Sequence, residues 1–255
     1  MLFPSLVERW LPYAAAAVFV IGMGWRVGRW LRTPVPFPLP LQPAARGAAC
    51  RAGNVAWELC FFPSLYRGDR WLWLWAWLMH ASLAAILMGH MLGIGLEGQH
   101  FVCLGFSAAA SACLSQVLGT AAGALFTLAL LMLLVRRIRH PVARRLSTPR
   151  DYFDLALLLG ISLSGLWLRL SPQPVDTASV RSYLAGLALL QPQPVPRHGG
   201  FVLHWVLVNG CLLYFPFSKL VHLAGSMVAR GLLVQPAPRL PAAQGLEPSA
   251  RPSGA

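Results

Sequence analysis

Four histidines lie inside apolar runs, where an ionisable ring is costly and by default marks a function. His80 and His90 fall in WLWLWAWLMHASLAAILMGHML, and His204 and His222 bound HWVLVNGCLLYFPFSKLVH. Ten residues of helix separate the first two by roughly 15 Å and about 80° of azimuth. Eighteen residues are five turns, so His204 and His222 share a face at a separation of roughly 27 Å. Two neutral imidazoles opposed from facing helices supply the axial nitrogens of a six-coordinate haem b, each keeping its Nδ1–H for an acceptor. The plainer reading is that each ring only hydrogen-bonds across a bundle, and it weakens when four rings are confined to two segments. Tetrahedral zinc would need further Cys or acidic ligands, which these runs do not supply at matching depth. The five cysteines, Cys50, Cys60, Cys103, Cys113 and Cys211, form no C-x-x-C or C-x-x-C-H, which disfavours covalent haem attachment and a cysteine-rich iron–sulfur cluster. Of the other histidines, His100 lies in a loop, His140 in a basic run, and His198 just before Gly199 and Gly200.

The elements that must position these rings are set by composition. Of 255 residues, 56% are hydrophobic and 11% charged, with a mean hydropathy of +0.58. A soluble domain carries about 25% charged residues, so the chain is expected to be an all-α integral membrane protein. Segments long enough to cross about 30 Å of hydrocarbon predict five spans, about 10–31, 71–92, 106–135, 152–170 and 200–225. Together they form one five-helix dihaem cytochrome b domain over 1–230, followed by a disordered cytoplasmic tail over 231–255. The first span is not read as a signal peptide, because Glu8 and Arg9 precede it and Arg26, Arg29 and Arg32 end it. Asp151 and Asp154 are placed in the first turn of the fourth span, where carboxylates suit the helix dipole. A short helix near Val180 to Leu190 is expected before the fifth span, and Pro216 should kink that span ahead of His222.

Arginine placement orients the bundle. The net charge is +13, with 21 basic and 8 acidic residues. In a soluble protein this balance would suggest nucleic acid; here it reads as positive loops on one membrane face, with no nucleic-acid partner. Arg26, Arg29, Arg32, Arg46, Arg51, Arg67 and Arg70 cluster between spans one and two, and Arg136, Arg137, Arg139, Arg144, Arg145 and Arg150 follow span three. The positive-inside rule then predicts an outside N-terminus and an inside C-terminus. Span two runs outward and span five inward, so His90 pairs with His204 in the outer half and His80 with His222 in the inner half. Gly89, Gly93, Ala81, Ala84 and Ala85 leave room for a macrocycle or for close helix packing. Arg70 and Lys219 are candidate propionate contacts, although surface anchoring explains them equally.

WLMHASLAAILMGH, RRIRHPVARRLSTPRDYFDLALLLGISLSGL and HWVLVNGCLLYFPFSKLVH resemble the membrane cytochromes b of the nitrate reductase gamma subunit family. Within it they resemble most the DsrM-like branch associated with dissimilatory sulfite reductase. The resemblance spans roughly Ala56 to Gly225. It implies two haems b, an inner one on His80 and His222 and an outer one on His90 and His204. It also implies oxidation of quinol or menaquinol near the outer haem, electron transfer to a cytoplasmic iron–sulfur subunit, and location in a bacterial inner membrane. It leaves room for further membrane or periplasmic redox subunits. The gamma subunits bind quinol with a lysine near the outer haem. Here Lys219, the single lysine, lies at the other end of span five. Quinol-site candidates are therefore His90, through its second ring nitrogen, and Glu97, Gln99 and His100 in the following loop; solvated loop residues are the alternative for the last three. No Ser-His-Asp set, paired-carboxylate site or P-loop is present, so the polypeptide is expected to relay electrons only. Two rival functions are a haem b relay between periplasmic donors and the quinone pool, and a haem-free transporter or anchor.

Overall fold

The computed structural model describes residues 9–33, 48–95, 101–222 and 224–226. Every regular element among them is helical: α1 (Leu11–Arg32), α2 (Ala48–Phe61), α3 (Pro63–Gly68), α4 (Arg70–Gly95), α5 (Ala108–Arg139), α6 (Pro141–Leu146), α7 (Pro149–Leu170), α8 (Thr177–Ala188) and α9 (Gly199–Tyr214), with 3₁₀ turns at Val102–Leu104, Phe215–Phe217 and Lys219–Val221. Five of these are long and apolar enough to cross a membrane: α1, α4, α5, α7, and α9 with its following turn to Phe217. The fold is an all-α bundle of five transmembrane helices. Exposed side chains such as Val20, Ile21, Leu87, Met91 and Leu163 form its outer surface, while Ser82, Ser111, Ser162, Ser164 and Asn209 are buried. This arrangement suits lipid as the solvent, and Ser162 and Ser164 bond between helices, to Thr127 and His204.

The helices pack in sequence around the bundle: α4 on α5, α5 on α7, α7 on α9, and α9 on α1. A core of Phe126, Leu130 and Leu159, joined by Met79, Leu83 and Ile86, locks α4, α5 and α7 together. Inside it, Thr127 Oγ1 and Ser162 Oγ bond at 2.6 Å. A second core places Tyr183, Leu187 and Phe201 against Tyr13 and Trp205, seating α8 over one end of α1 and α9. The remaining gap, between α4 and α9, is bridged by the histidines.

Several boundaries differ from expectation for local reasons. α5 runs on to Arg139, because arginines propagate a helix well and suit its negative C-terminal end. α7 starts at Pro149, where Asp151 Oδ2 accepts from Thr148 N at 2.8 Å and Thr148 Oγ1 at 2.9 Å. Asp154 lies one turn further in, buried, so only Asp151 occupies the first turn. α8 begins earlier than Val180, since Asp176 accepts from Ala178 N and Ser179 N and so caps it. The largest difference is in the fifth span, where the α-helix stops at Tyr214 and two 3₁₀ turns follow, separated by Ser218 in an extended conformation. Glu97, Gln99 and His100, and the 231–255 tail, lie outside the described residues.

Candidate functional site

Each histidine of α4 adopts one local geometry. His80 Nδ1 donates to Ala76 O at 2.7 Å and His90 Nδ1 to Ile86 O at 2.8 Å, both bonds reaching back one turn. A carbonyl cannot donate, so in both neutral rings Nδ1 carries the hydrogen and Nε2 the lone pair. His222 Nδ1 likewise donates to Lys219 O at 3.2 Å. His204 Nδ1 is 2.9 Å from Ser164 Oγ. That hydroxyl gives its only hydrogen to Ile161 O at 2.9 Å, so it accepts from His204. All four rings therefore present a bare Nε2.

The structure brings them together in two pairs. His80 Nε2 and His222 Nε2 are 3.4 Å apart, with ring planes at 89° and centroids 5.6 Å apart. His90 and His204 have centroids 6.5 Å apart and planes within 16° of parallel. Two neutral rings that both spend their hydrogen at Nδ1 cannot bond to each other through Nε2, so facing lone pairs repel unless an electrophile lies between them. A haem iron would be such an electrophile, and neutral imidazole nitrogens are donors of the type that hold it. Among the described residues no three His, Cys, Asp or Glu side chains converge. The chemistry of this donor set fits haem b.

The break in the fifth span resolves a conflict of lengths. A continuous helix would have put His204 and His222 too far apart to match His80 and His90. The 3₁₀ turns around Pro216 and the extended Ser218 redirect the chain and let both pairs meet. The proline marks where the helix ends, rather than only a kink within it.

Other expected site residues have neighbours of their own. The Arg70 guanidinium lies 5.2 Å from the Tyr66 ring centroid, and Lys219 Nζ bonds Asp151 Oδ1 at 2.7 Å, so both cations have partners of their own. The second ring nitrogen of His90, expected as a quinol acceptor, is instead a committed donor to Ile86 O. A Cβ on Gly89 would meet nothing within 4 Å, so close helix packing is not what that glycine serves.

Three further contributors carry almost no signal in the sequence. Ser164 fixes the His204 tautomer, and its only hint is a small polar residue in GISLSG. Gly165 abuts the same ring, where an added Cβ would sit 3.3 Å from His204 Cε1. Phe62 contacts His80 edge-on, with centroids 5.1 Å apart, from a left-handed backbone at φ 49° and ψ 48°. A non-glycine residue there costs of order 1–3 kcal/mol and persists only when its surroundings enforce it. Trp73 Nε1 and Trp77 Nε1 do so, donating to Phe61 O at 2.7 Å and Cys60 O at 3.1 Å.

Residues 64–236 match the nitrate reductase gamma subunit family. The chain belongs to that family. A protein described as the cytochrome b-like subunit of an Hdr-like menaquinol oxidoreductase, from Archaeoglobus fulgidus, is 29% identical over 252 residues, covering 84% of this chain and 75% of its own. Its counterpart in Archaeoglobus profundus is also 29% identical, covering 84% and 74%. The respiratory nitrate reductase 1 gamma chain of Escherichia coli is 28% identical over 224 residues, covering 83% and 86%. In this gamma subunit family member, both histidine pairs fall within the matched region.

Proposed function

We propose that this multi-pass membrane protein is the cytochrome b subunit of a quinol-oxidising redox complex. In this reading it passes electrons from quinol or menaquinol to a cytoplasmic iron–sulfur subunit, with two haems b held by His80 and His222 and by His90 and His204. The observation that carries the reading is that all four Nδ1 atoms are committed while the rings meet in two pairs, His80 with His222 at 3.4 Å between Nε2 atoms and His90 with His204 at 6.5 Å between centroids. The family match and the menaquinol-linked relatives support the quinol link. The DsrM-like branch and a bacterial inner membrane are the finer parts of the proposal.

Haem bound at each pair would supply one-electron storage. The chain's own residues hold the rings: Ala76, Ile86 and Lys219 through main-chain carbonyls, Ser164 through its hydroxyl. The core of Phe126, Leu130 and Leu159 keeps water from the bundle between the two depths. With the arginine-rich loops inside, the His90–His204 pair is in the outer half. Releasing quinol protons outside while electrons go inward stores about 2.3 kcal/mol per charge per 100 mV. Glu97, Gln99 and His100 directly follow α4 in sequence and are the residues proposed to receive those protons.

A visible spectrum of dithionite-reduced membranes expressing the chain tests the reading. A haem b alpha band, bleached on oxidation, is the expected result, and its absence from membranes shown by immunoblot to hold the protein would overturn it.

A further inference from the structure

The bend that carries His222 is gripped by a helix from the far end of the sequence. Arg26 of α1 donates through Nη1 to Pro216 O at 2.5 Å and to Ser218 O at 3.5 Å. These carbonyls belong to the middle of the first 3₁₀ turn and to the extended residue after it, where regular α-helical bonding has stopped. In hydrocarbon such groups must find a donor within the protein, and a cation at the C-terminal end of α9 also suits its dipole. Gly22, one turn earlier, lies directly against Pro216: an added Cβ would sit 2.7 Å from Pro216 Cβ. Phe19, one turn earlier again, packs on Phe215 with ring centroids 5.5 Å apart. Residues 19, 22 and 26 recur at the spacing of one helix face, and every contact named here falls on Phe215, Pro216 or Ser218, where the chain turns toward His222. From the opposite side Asp151 of α7 holds Lys219. None of the three α1 residues lies in the region matched to the family.

We propose that α1 is a clamp that sets the position of His222, and that Arg26 is its principal positioning residue. The contacts of Phe19, Gly22 and Arg26 bear on the inner pair, because they fall beyond Tyr214, whereas His204 lies in the regular part of α9. This deepens the proposed function and rests on it only where haem is the readout.

The first measurement needs no cofactor. In a full-length chain with its native cysteines replaced, His80→Cys with His222→Cys, and separately His90→Cys with His204→Cys, are treated in membranes with a short bifunctional thiol reagent, since opposed rings hold their backbones too far apart for a direct disulfide, and the cross-link is scored. Adding Arg26→Gln should abolish most of the 80–222 cross-link and leave the 90–204 cross-link intact; Arg26→Lys should restore part of it, and Gly22→Leu should reproduce the loss. An unchanged 80–222 cross-link in both Arg26→Gln and Gly22→Leu would overturn the clamp, as would equal loss of both cross-links at normal protein level. The second measurement uses the native histidines. Arg26→Gln should move the potential of one haem component and leave the other in place, with Arg26→Lys returning it. Two unmoved components would overturn the clamp. A wild-type chain without haem would instead sink the proposed function, leaving the cross-links to decide the clamp.

Discussion

His80 and His222 meet nitrogen to nitrogen at 3.4 Å while each spends its ring hydrogen on a main-chain carbonyl. One residue comes from α4 and the other from the far side of the break in the fifth span, so the pair records the fold of the whole bundle. Neither ring can satisfy the other without an added positive centre, whether a proton or a metal.

Substituting the histidines one at a time tests the pairing. His80→Ala and His222→Ala should remove the same spectral component, and His90→Ala and His204→Ala the other, in redox titrations normalised to protein level. Loss of one shared component from His80→Ala and His204→Ala would show that the rings are paired differently in the loaded protein. All four variants should also be less stable, since a ligand that binds only the folded state contributes to its stability.

Ser164→Ala removes the acceptor for His204 Nδ1–H and nothing from the inner pair. A hydrogen bond at that nitrogen makes the imidazole a stronger donor to iron, which favours the oxidised state. Its loss should raise the outer component's potential by on the order of tens of mV, as expected for a bond worth about 1 kcal/mol. Potentiometry of Ser164→Ala beside Ser164→Thr, which retains the hydroxyl, would check this; equal shifts in both variants would discount the hydrogen bond.

The Asp69 carboxyl is held below the usual carboxylate range, first by the Leu72 N–H and then by Arg136 at 2.6 Å. A depressed value in the folded state means stability that is fully present above the unfolded value of about 4 and is lost as pH falls through the folded one. The side chain is 37% exposed, so solvent screens the pair and the effect is small. Asp69→Asn should lower the thermal midpoint in detergent at neutral pH, and the gap from wild type should close on acidification below pH 4. A gap that stays constant with pH would mean that the charge contributes nothing.

Orientation follows from the arginines. A cysteine introduced at position 145 in α6 should resist an impermeant thiol reagent applied to intact cells, whereas one at position 181 in α8 should react. Reversed labelling would invert the bundle and with it the assignment of inner and outer pairs.

The loop after α4 is proposed to receive quinol protons. Changing Glu97 and His100 together to Ala should slow reduction of the haems by a menaquinol analogue in stopped flow while leaving their spectra intact. Unchanged rates with both haems present would remove this loop from the mechanism.

The two histidine pairs are legible in the amino-acid sequence because hydropathy sets depth, arginine asymmetry sets direction, and together they leave one pairing. What lies beyond the sequence depends on contacts between distant segments. Eighteen residues from His204 to His222 read as five straight turns, because nothing local says that Pro216 ends the α-helix rather than bending it; Gly22 and Arg26, some 190 residues away, stabilise the break. Ser164 is one more small residue of a packed helix until α9 places His204 beside it. The left-handed backbone of Phe62 has no signature in an aromatic residue, and the tryptophans of the next helix that help hold it there are brought by the fold. Lys219 and Arg70 carry a charge that suits a propionate, and charge does not say which partner is nearer.

The grip of α1 on the fifth span also imposes a timetable. Arg26 and the carbonyl of Pro216 are 190 residues apart, and at roughly 5–20 residues per second the ribosome needs about 10 to 40 s to make the intervening chain. Through that interval α1 is already in the bilayer without the helix it is shaped to hold, so the earlier spans must insert and settle around a vacancy. The inner histidine pair therefore cannot take shape until the chain beyond Pro216 has been made and has come back to α1.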